Sequence, residues 1–422
     1  MPEFFSGEWQ VTLTVTLFLL SYGAIAVGHI WGLKLDRVGI AMVAAILMLL
    51  IHALTVEEAV NTVDMGTILT LFGLMVLSGQ LRLAGFYTLV AEKIAAQLER
   101  PARFLLVLMA TAAVMSAFLI NDVVCLAFAP VLTAALLKKG LNPVPFLIGL
   151  ALAANIGSAA TLIGNPQNIL IGQVGELRFG AFLLWSLTPV VLSLAVAYGM
   201  VLLLGGKKMT QPPETSGAVQ LHLPPIDRGQ TIRGVAITAV VVVLFFTPLP
   251  HELVALGAAA AILCSRVMPS SKVLAMVDWP LLVLFCSLFI VVGALSATGV
   301  DKQVVAALGE VGVSLDNLYV LGVVSAVLSN LMSNVPAILV LLSLQPVSSP
   351  DVGYVLALSS TFAGNFILLG SIANLIVVEQ AGKLGVKIGF WEFARYGIPV
   401  TLLSIGILFL WLAFAQTVGW SG

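Results

Sequence analysis

The sequence predicts an all-α polytopic membrane protein of about ten transmembrane helices, built as two inverted five-span repeats that each carry a re-entrant hairpin and a broken helix. Three observations predict it. The 422 residues are 60% hydrophobic and 9% charged, with a mean hydropathy of +1.11, whereas roughly a quarter of the residues in a soluble domain are charged. The apolar residues form continuous runs, and only helices or closed barrels span lipid. The same order of spans and interruptions occurs twice along the chain.

Met1 to Gln10 is acidic and lacks a positive n-region or a small-residue cleavage site, so the first span is expected to be retained. Apolar stretches follow at 11–30, 38–54 and 67–83. Residues 104–138 are interrupted at Asn121-Asp122, and residues 317–347 at Ser329-Asn330 and Ser333-Asn334. The arms are about 13 to 17 residues long, and a full span needs about 17–25, which the arms of the second stretch do not reach. Both stretches read as re-entrant hairpins with polar tips near the midplane. Residues 145–172 and 352–379 contain Gly164-Asn165-Pro166-Gln167-Asn168 and Gly370-Ser371-Ile372-Ala373-Asn374 in mid-membrane, and read as broken helices. Non-helical backbone at that depth is tolerated where it is buried in protein or lines a cavity. The stretches 180–204, 233–248, 252–267, 279–298 and 396–415 complete the set of spans.

On both sides of residues 205–232 the order is three spans, a hairpin, a broken helix and a last span. Residues 1–204 therefore read as the first repeat and 233–422 as the second. The segment 205–232, with Lys207-Lys208, Pro212-Pro213 and Pro224-Pro225, reads as a cytoplasmic linker. Single residues correspond: Asn121 with Asn334, Asn168 with Asn374, Pro189 with Pro399, and Val63-Asp64-Met65 with Val277-Asp278-Trp279. An odd number of crossings in each half makes the second half enter from the opposite face, so the repeats are inverted. With the amino terminus outside, all of the 19 basic residues except Arg178 and Lys302 fall on the inner face, as cytoplasmic loops require. The chain is thus expected as a multi-pass protein of the cell (inner) membrane with both termini outside.

Helix breaks at the midplane leave free N–H groups at one half-helix end and free carbonyls at the other, which together bind ions or polar solutes. The side chains at the breaks suit that task. The first half supplies Asn121, Asp122, Asn155, Ser158, Thr161, Asn165, Gln167 and Asn168. The second supplies Ser329, Asn330, Ser333, Asn334, Thr361, Asn365, Ser371 and Asn374. A single Asn there can equally be a helix cap or an interhelical hydrogen bond. The whole set, placed at four breaks, points to a binding site made of Asn121, Asn155, Thr161, Asn165, Asn168, Ser333, Asn334, Asn365, Ser371 and Asn374. Of the 20 acidic residues, Asp122 alone lies in the middle of an apolar stretch. An intramembrane carboxylate suggests a coupling site for protons or another cation, with a capping role for the second hairpin arm as the alternative. Cys125, one turn beyond Asn121, is either a small apolar filler or a thiol facing the same cavity.

Composition and motifs exclude other classes. A net charge of −1 and the lack of a basic cluster speak against nucleic acid. Cys125, Cys264 and Cys286 lie in apolar stretches with no CxxC, so neither a disulfide framework nor a metal site is expected. An intramembrane aspartyl protease needs two mid-membrane aspartates, and none of His29, His52, His222 or His251 sits in an HExxH context, so no enzyme is expected. No GxxxxGK[ST] occurs, and no cofactor is called for. A channel is compatible with the composition, but paired broken helices in an inverted repeat favour alternating access. The absence of intramembrane Lys or Arg favours a neutral hydroxylated solute, such as undissociated trivalent arsenic, over an anion that must rely on helix dipoles, amides and co-bound cations.

The motifs resemble the ion transporter superfamily over nearly the whole chain. Asn121-Asp122-Val123-Val124-Cys125-Leu126-Ala127-Phe128-Ala129-Pro130 resembles the hairpin tip of arsenite/antimonite efflux permeases, as do Leu328-Ser329-x-x-Met332-x-Asn334-x-Pro336 and Gly370-Ser371-x-Ala373 in the second half. The run Asn155 to Asn168 is closer to the divalent anion:sodium symporter and P-protein branches. The Ser-Asn-Thr pair of the sodium/dicarboxylate branch is incomplete, with Ser333-Asn334-Val335 in one hairpin and Ile120-Asn121-Asp122 in the other, which favours protons through Asp122. The resemblance implies a homodimeric permease whose mobile hairpin domains carry substrate past a fixed scaffold. It also implies expulsion of arsenite or antimonite in exchange for protons, and it leaves room for a cytoplasmic ATPase subunit as partner. The alternative expectation is a sodium-coupled symporter of sulfate or a dicarboxylate.

Overall fold

Each half of the sequence places an aspartate before its third long apolar run, and in the computed structural model both cap the helix that follows. Asp64 Oδ1 accepts the Thr67 amide at 2.6 Å, and Asp278 Oδ1 accepts that of Leu281 at 3.1 Å. The structure describes residues 7–28, 32–95, 98, 100–211, 226–310 and 312–420, and among them every regular element is helical. The first half runs α1 (Glu8–Val27), α2 (Arg37–Leu50), α3 (Val56–Thr62), α4 (Met65–Leu83), α5 (Phe86–Ala95), α6 (Pro101–Phe118), α7 (Asn121–Lys138), α8 (Val144–Ser158), α9 (Pro166–Val174) and α10 (Phe179–Met209). The second runs α11 (Arg228–Phe245), α12 (His251–Leu263), α13 (Ser270–Leu274), α14 (Trp279–Ala297), α15 (Val300–Glu310), α16 (Leu318–Met332), α17 (Asn334–Leu344), α18 (Pro350–Ala363), α19 (Ile372–Lys383) and α20 (Phe390–Val418), with a 3-10 turn at Leu368–Gly370. Each element of the first half answers one of the second in the same order. The fold is the predicted one, an all-α polytopic membrane protein of two inverted repeats.

The boundaries differ from those read off the sequence in three places. The short helices α3, α5, α13 and α15 join the long ones between the apolar stretches; they are too short or too polar to register as apolar runs. In the second hairpin, α16 and α17 have 15 and 11 residues, but α6 and α7 have 18 each, longer than the expected arms. The reason is local: Pro101 is favoured at the first helical position, and the helix absorbs Ala102 and Arg103 ahead of the apolar run. Third, α10 continues through Lys207-Lys208 to Met209, where basic side chains favour a helix C-terminus, and α11 already starts at Arg228. The connection is therefore shorter than 205–232, and its residues 212–225 lie outside the described residues. Lys208 also ties α10 to α20, its Nζ lying 3.1 Å from Glu392 Oε1.

The two halves exchange packing partners. α4 packs along α12 and α14 along α2; α6 packs along α8 and α16 along α18; α10 packs along α20. Close helix crossings in membranes depend on small residues. A Cβ on Gly73 of α4 would meet the Ala255 backbone of α12, and one on Gly157 of α8 the Ala113 backbone of α6. Every residue of α8 is buried, and nearly every residue of α18. By contrast α10, α11 and α20 keep side chains such as Leu203, Val243 and Leu410 exposed, as lipid-facing helices do. The broken helices thus run through the centre, where their polar breaks are kept from lipid.

Candidate functional site

The two breaks are built alike. α9 starts with Asn165 as its cap, whose Oδ1 accepts the Asn168 amide at 2.9 Å, followed by Pro166, which needs no partner for a backbone N–H. α19 starts with Ser371, whose Oγ accepts the Ala373 amide at 3.2 Å. The carbonyls freed at the break are served by one amide in each half. Asn168 Nδ2 donates to the carbonyls of Ser158 at 3.3 Å and Thr161 at 2.9 Å, and Asn374 Nδ2 donates to those of Gly364 at 2.8 Å and Ile367 at 3.3 Å. The Thr161 hydroxyl donates to the carbonyl of Ala117 and anchors the first break to the end of α6.

The breaks are also joined to each other. Asn155 Nδ2 donates to Asn365 Oδ1 at 2.9 Å and to Asn374 Oδ1 at 3.0 Å, while its Oδ1 accepts from Ser371 Oγ at 3.0 Å and Asn121 Nδ2 at 3.1 Å. That uses all the hydrogen-bonding capacity of one amide. Thr361, in the matching position of the other half, donates to Asn168 Oδ1 at 3.4 Å and accepts from Asn165 Nδ2 and Gln167 Nε2, both at 3.2 Å. Asn165 Nδ2 also reaches Ser158 Oγ at 2.9 Å, and Asn365 Nδ2 reaches the carbonyl of Leu152 at 3.3 Å. Asn155, Thr161, Asn165, Asn168, Asn365 and Asn374 are all buried. They form a satisfied network at the centre and do not line the open space beside it.

The hairpin tips are satisfied only in part. α7 begins at Asn121 after Ile120, and α17 at Asn334 after Ser333, neither with a side-chain cap. The Asn121 amide donates to the Gly164 carbonyl and that of Val123 to Ile120. The amides of Asp122, Asn334 and Val335 have no partner among the described residues, and the helix dipoles favour negative charge there. Ser333 holds φ 76° and ψ 157°, a region that is nearly glycine-only and strained for serine. Between the tips and the starts of α9 and α19 lies a cavity of about 30 Å³ whose polar wall is Asn121, Asp122, Gln167, Ser333, Asn334 and Ser371. No Lys or Arg lines it. Asn121 Oδ1 and Asn334 Oδ1 are buried without a hydrogen-bond partner among the described residues, and acceptors so placed beside a cavity suit a polar ligand. Asp122 sits in the first turn of α7 with no donor to its carboxylate among the described residues, and Ile120, not Asp122, holds the capping position.

Cys125 is fully buried and does not line the cavity, which matches the filler reading and not the thiol-ligand one. Sequence reasoning missed Leu281 of α14, which walls the cavity. Its neighbourhood was signalled by Asp278, the cap that accepts its amide. It also missed Gln173, whose amide reaches Thr70 of α4 and Glu252 of α12.

A family model described as citrate transporter matches residues 24–354. The chain is 30% identical over 434 residues to an uncharacterized transporter of Mycobacterium tuberculosis, covering 95% of this chain and 98% of that one. It is 26% identical over 466 residues to the silicon efflux transporter of Oryza sativa subsp. japonica, covering 91% and 96%. The crystal structure of the Alcanivorax borkumensis YdaH transporter shares the fold, with a TM-score of 0.54 at 16% identity over 97% of this chain and 99% of that one.

Proposed function

Because the chain belongs to the citrate transporter family of membrane transporters, we propose that it is a secondary active transporter that exports trivalent arsenic and antimony, as arsenite and antimonite, in exchange for protons. The observation that carries this reading is the polarity of the cavity between the hairpin tips. It offers acceptors in Asn121 Oδ1, Asn334 Oδ1 and the Asp122 carboxylate, and donors in the backbone amides of Asp122, Asn334 and Val335, without a basic side chain. An undissociated hydroxide both donates and accepts, so it satisfies both sets; a multivalent anion leaves the acceptors facing its charge. The similarity to a silicon efflux transporter supports the same class, since silicon too dissolves at neutral pH as a neutral hydroxide.

The cavity of about 30 Å³ holds one or two waters, so the tips must part to admit a metalloid hydroxide. In this reading Asn121, Gln167, Ser333, Asn334 and Ser371 touch the solute, and the buried amides behind them hold the tips and breaks in register. Asp122 takes up a proton from outside when the site is empty and gives it up inside as the solute binds. The distribution of Lys and Arg supports placing both termini outside the cell (inner) membrane.

A second reading is sodium-coupled uptake of a small anion such as sulfate or a dicarboxylate. It is favoured by the family description and by the four helix starts, α7, α9, α17 and α19, that meet at the cavity. Proteoliposomes separate the two. Accumulation of trivalent arsenic or antimony under a pH gradient, without sodium, is the expected result. No metalloid flux under either gradient, together with sodium-dependent uptake of sulfate or a dicarboxylate, would replace the first reading by the second.

A further inference from the structure

In a molecule of two matched halves, a contact that one half makes and the other lacks separates a closed face from an open one. α9 packs along α4, whereas its counterpart α19 has no comparable packing on α14. The contact is fastened by one side chain. Gln173 Nε2 donates to Thr70 Oγ1 at 3.0 Å and to Glu252 Oε2 at 3.2 Å, joining α9 to both α4 and α12. Gly66, one turn before Thr70, lies beside it: a Cβ there would stand in ordinary contact with the Gln173 amide, at 3.4 Å. With Asn168 matched to Asn374, the position of Gln173 falls on Glu379 of α19. Glu379 is exposed and pairs with Lys383 of its own helix at 2.8 Å.

Two cavities lie at opposite ends of α9. The first residues of α9, Pro166 and Gln167, line the central cavity. At the other end of the helix, a wider cavity of about 760 Å³ is lined by Gln173, Glu176, Arg178, Phe246, His251 and Glu252. A helix of nine residues covers about 13 Å at 1.5 Å per residue, so the two spaces are one short helix apart.

We propose that the wider cavity is the release vestibule of the transport path, and that Gln173, held by Thr70 and Glu252, is the gate residue that shuts it off from the central cavity in this conformation. The proposal rests on the reading of the chain as a transporter of a small hydroxylated solute. In the opposite state Gln173 leaves both partners. The freed Thr70 hydroxyl and Glu252 carboxylate then face the passage, where they accept hydrogen bonds from water or from the departing hydroxide, and α19 closes on α14 instead.

Thiol reactivity tests the gate without a transported solute, so its outcome is separable from that of the substrate assignment. Thr70 is buried. A thiol placed there by Thr70→Cys, in a chain also carrying Cys264→Ser and Cys286→Ala, should react slowly with a membrane-impermeant methanethiosulfonate. Adding Gln173→Ala removes the bond to Glu252 and the side chain that covers position 70, and should speed the reaction about tenfold. Equal rates with and without Gln173 would overturn the gate. Gly66→Cys, read in the same way, covers the case in which Thr70→Cys fails to fold.

Discussion

Asn168 and Asn374 perform the same two tasks in opposite halves of the protein. Each donates both amide hydrogens to carbonyls of the break in its own helix, and each offers its Oδ1 to the other half, Asn168 to the Thr361 hydroxyl and Asn374 to the Asn155 amide. One residue per repeat thereby closes its own break and fastens the two breaks together.

Asn168→Asp and Asn374→Asp keep the size of the side chain and remove its two donors, which leaves two buried carbonyls unserved. Each substitution should destabilise the protein by about 2–4 kcal/mol, and the two shifts should be of similar size because the roles match. Thermal unfolding in detergent measures both. A variant that melts with the wild type would show that its amide is not the latch of the break.

Among the described residues Asp122 accepts no hydrogen bond and caps no helix, so Asp122→Asn should leave the fold intact. The pH gradient should no longer drive flux, while exchange of solute down its own gradient continues. Proton-driven accumulation at the wild-type rate in reconstituted Asp122→Asn would remove this residue from the coupling step.

Ser333→Gly releases the strain of a serine held at φ 76° and should raise stability by about 0.5–1 kcal/mol. Ser333→Val places a β-branched side chain in the same backbone conformation and should lower it by more than that gain. Folded yield after gel filtration, together with the melting temperature, checks the pair. The opposite order would mean that the turn between α16 and α17 adopts another conformation.

Gly157→Ala puts a methyl group into the backbone of Ala113 and should push α8 away from α6. The expected loss is about 1–3 kcal/mol, as for other overpacked sites. Gly206→Ala in α10 meets nothing within 4 Å and should be tolerated. Comparing the two by thermal unfolding separates a close helix crossing from the general effect of removing a glycine.

Much of the architecture was legible in the sequence because its causes are local. A run of apolar residues makes a helix wherever it lies, and Asn165-Pro166 or Gly370-Ser371 interrupts one for reasons contained in a few residues. The repeat was visible because the same caps and breaks recur: Asp64 and Asp278 start matching helices, and Asn168 and Asn374 close matching breaks. The short helices escaped notice because they are too brief to give a hydropathy signal. The polar residues at the breaks were identified as a group, but the sequence did not sort them.

By itself, then, the sequence determined the helices, their interruptions, the inverted order of the halves and the polar set at the centre. All of these follow from hydropathy and from backbone chemistry along the chain. Only the tertiary structure decided which polar groups satisfy one another and which stay open, because that depends on which helices cross. Asn155 is fully engaged because Asn365, Ser371 and Asn374 are brought to it from the other half. Asn121 Oδ1 and Asn334 Oδ1 are open because the tips that carry them meet only across a cavity. Likewise Gln173 is held by Thr70 and Glu252 while Glu379 is exposed, a difference that two similar stretches of sequence do not contain.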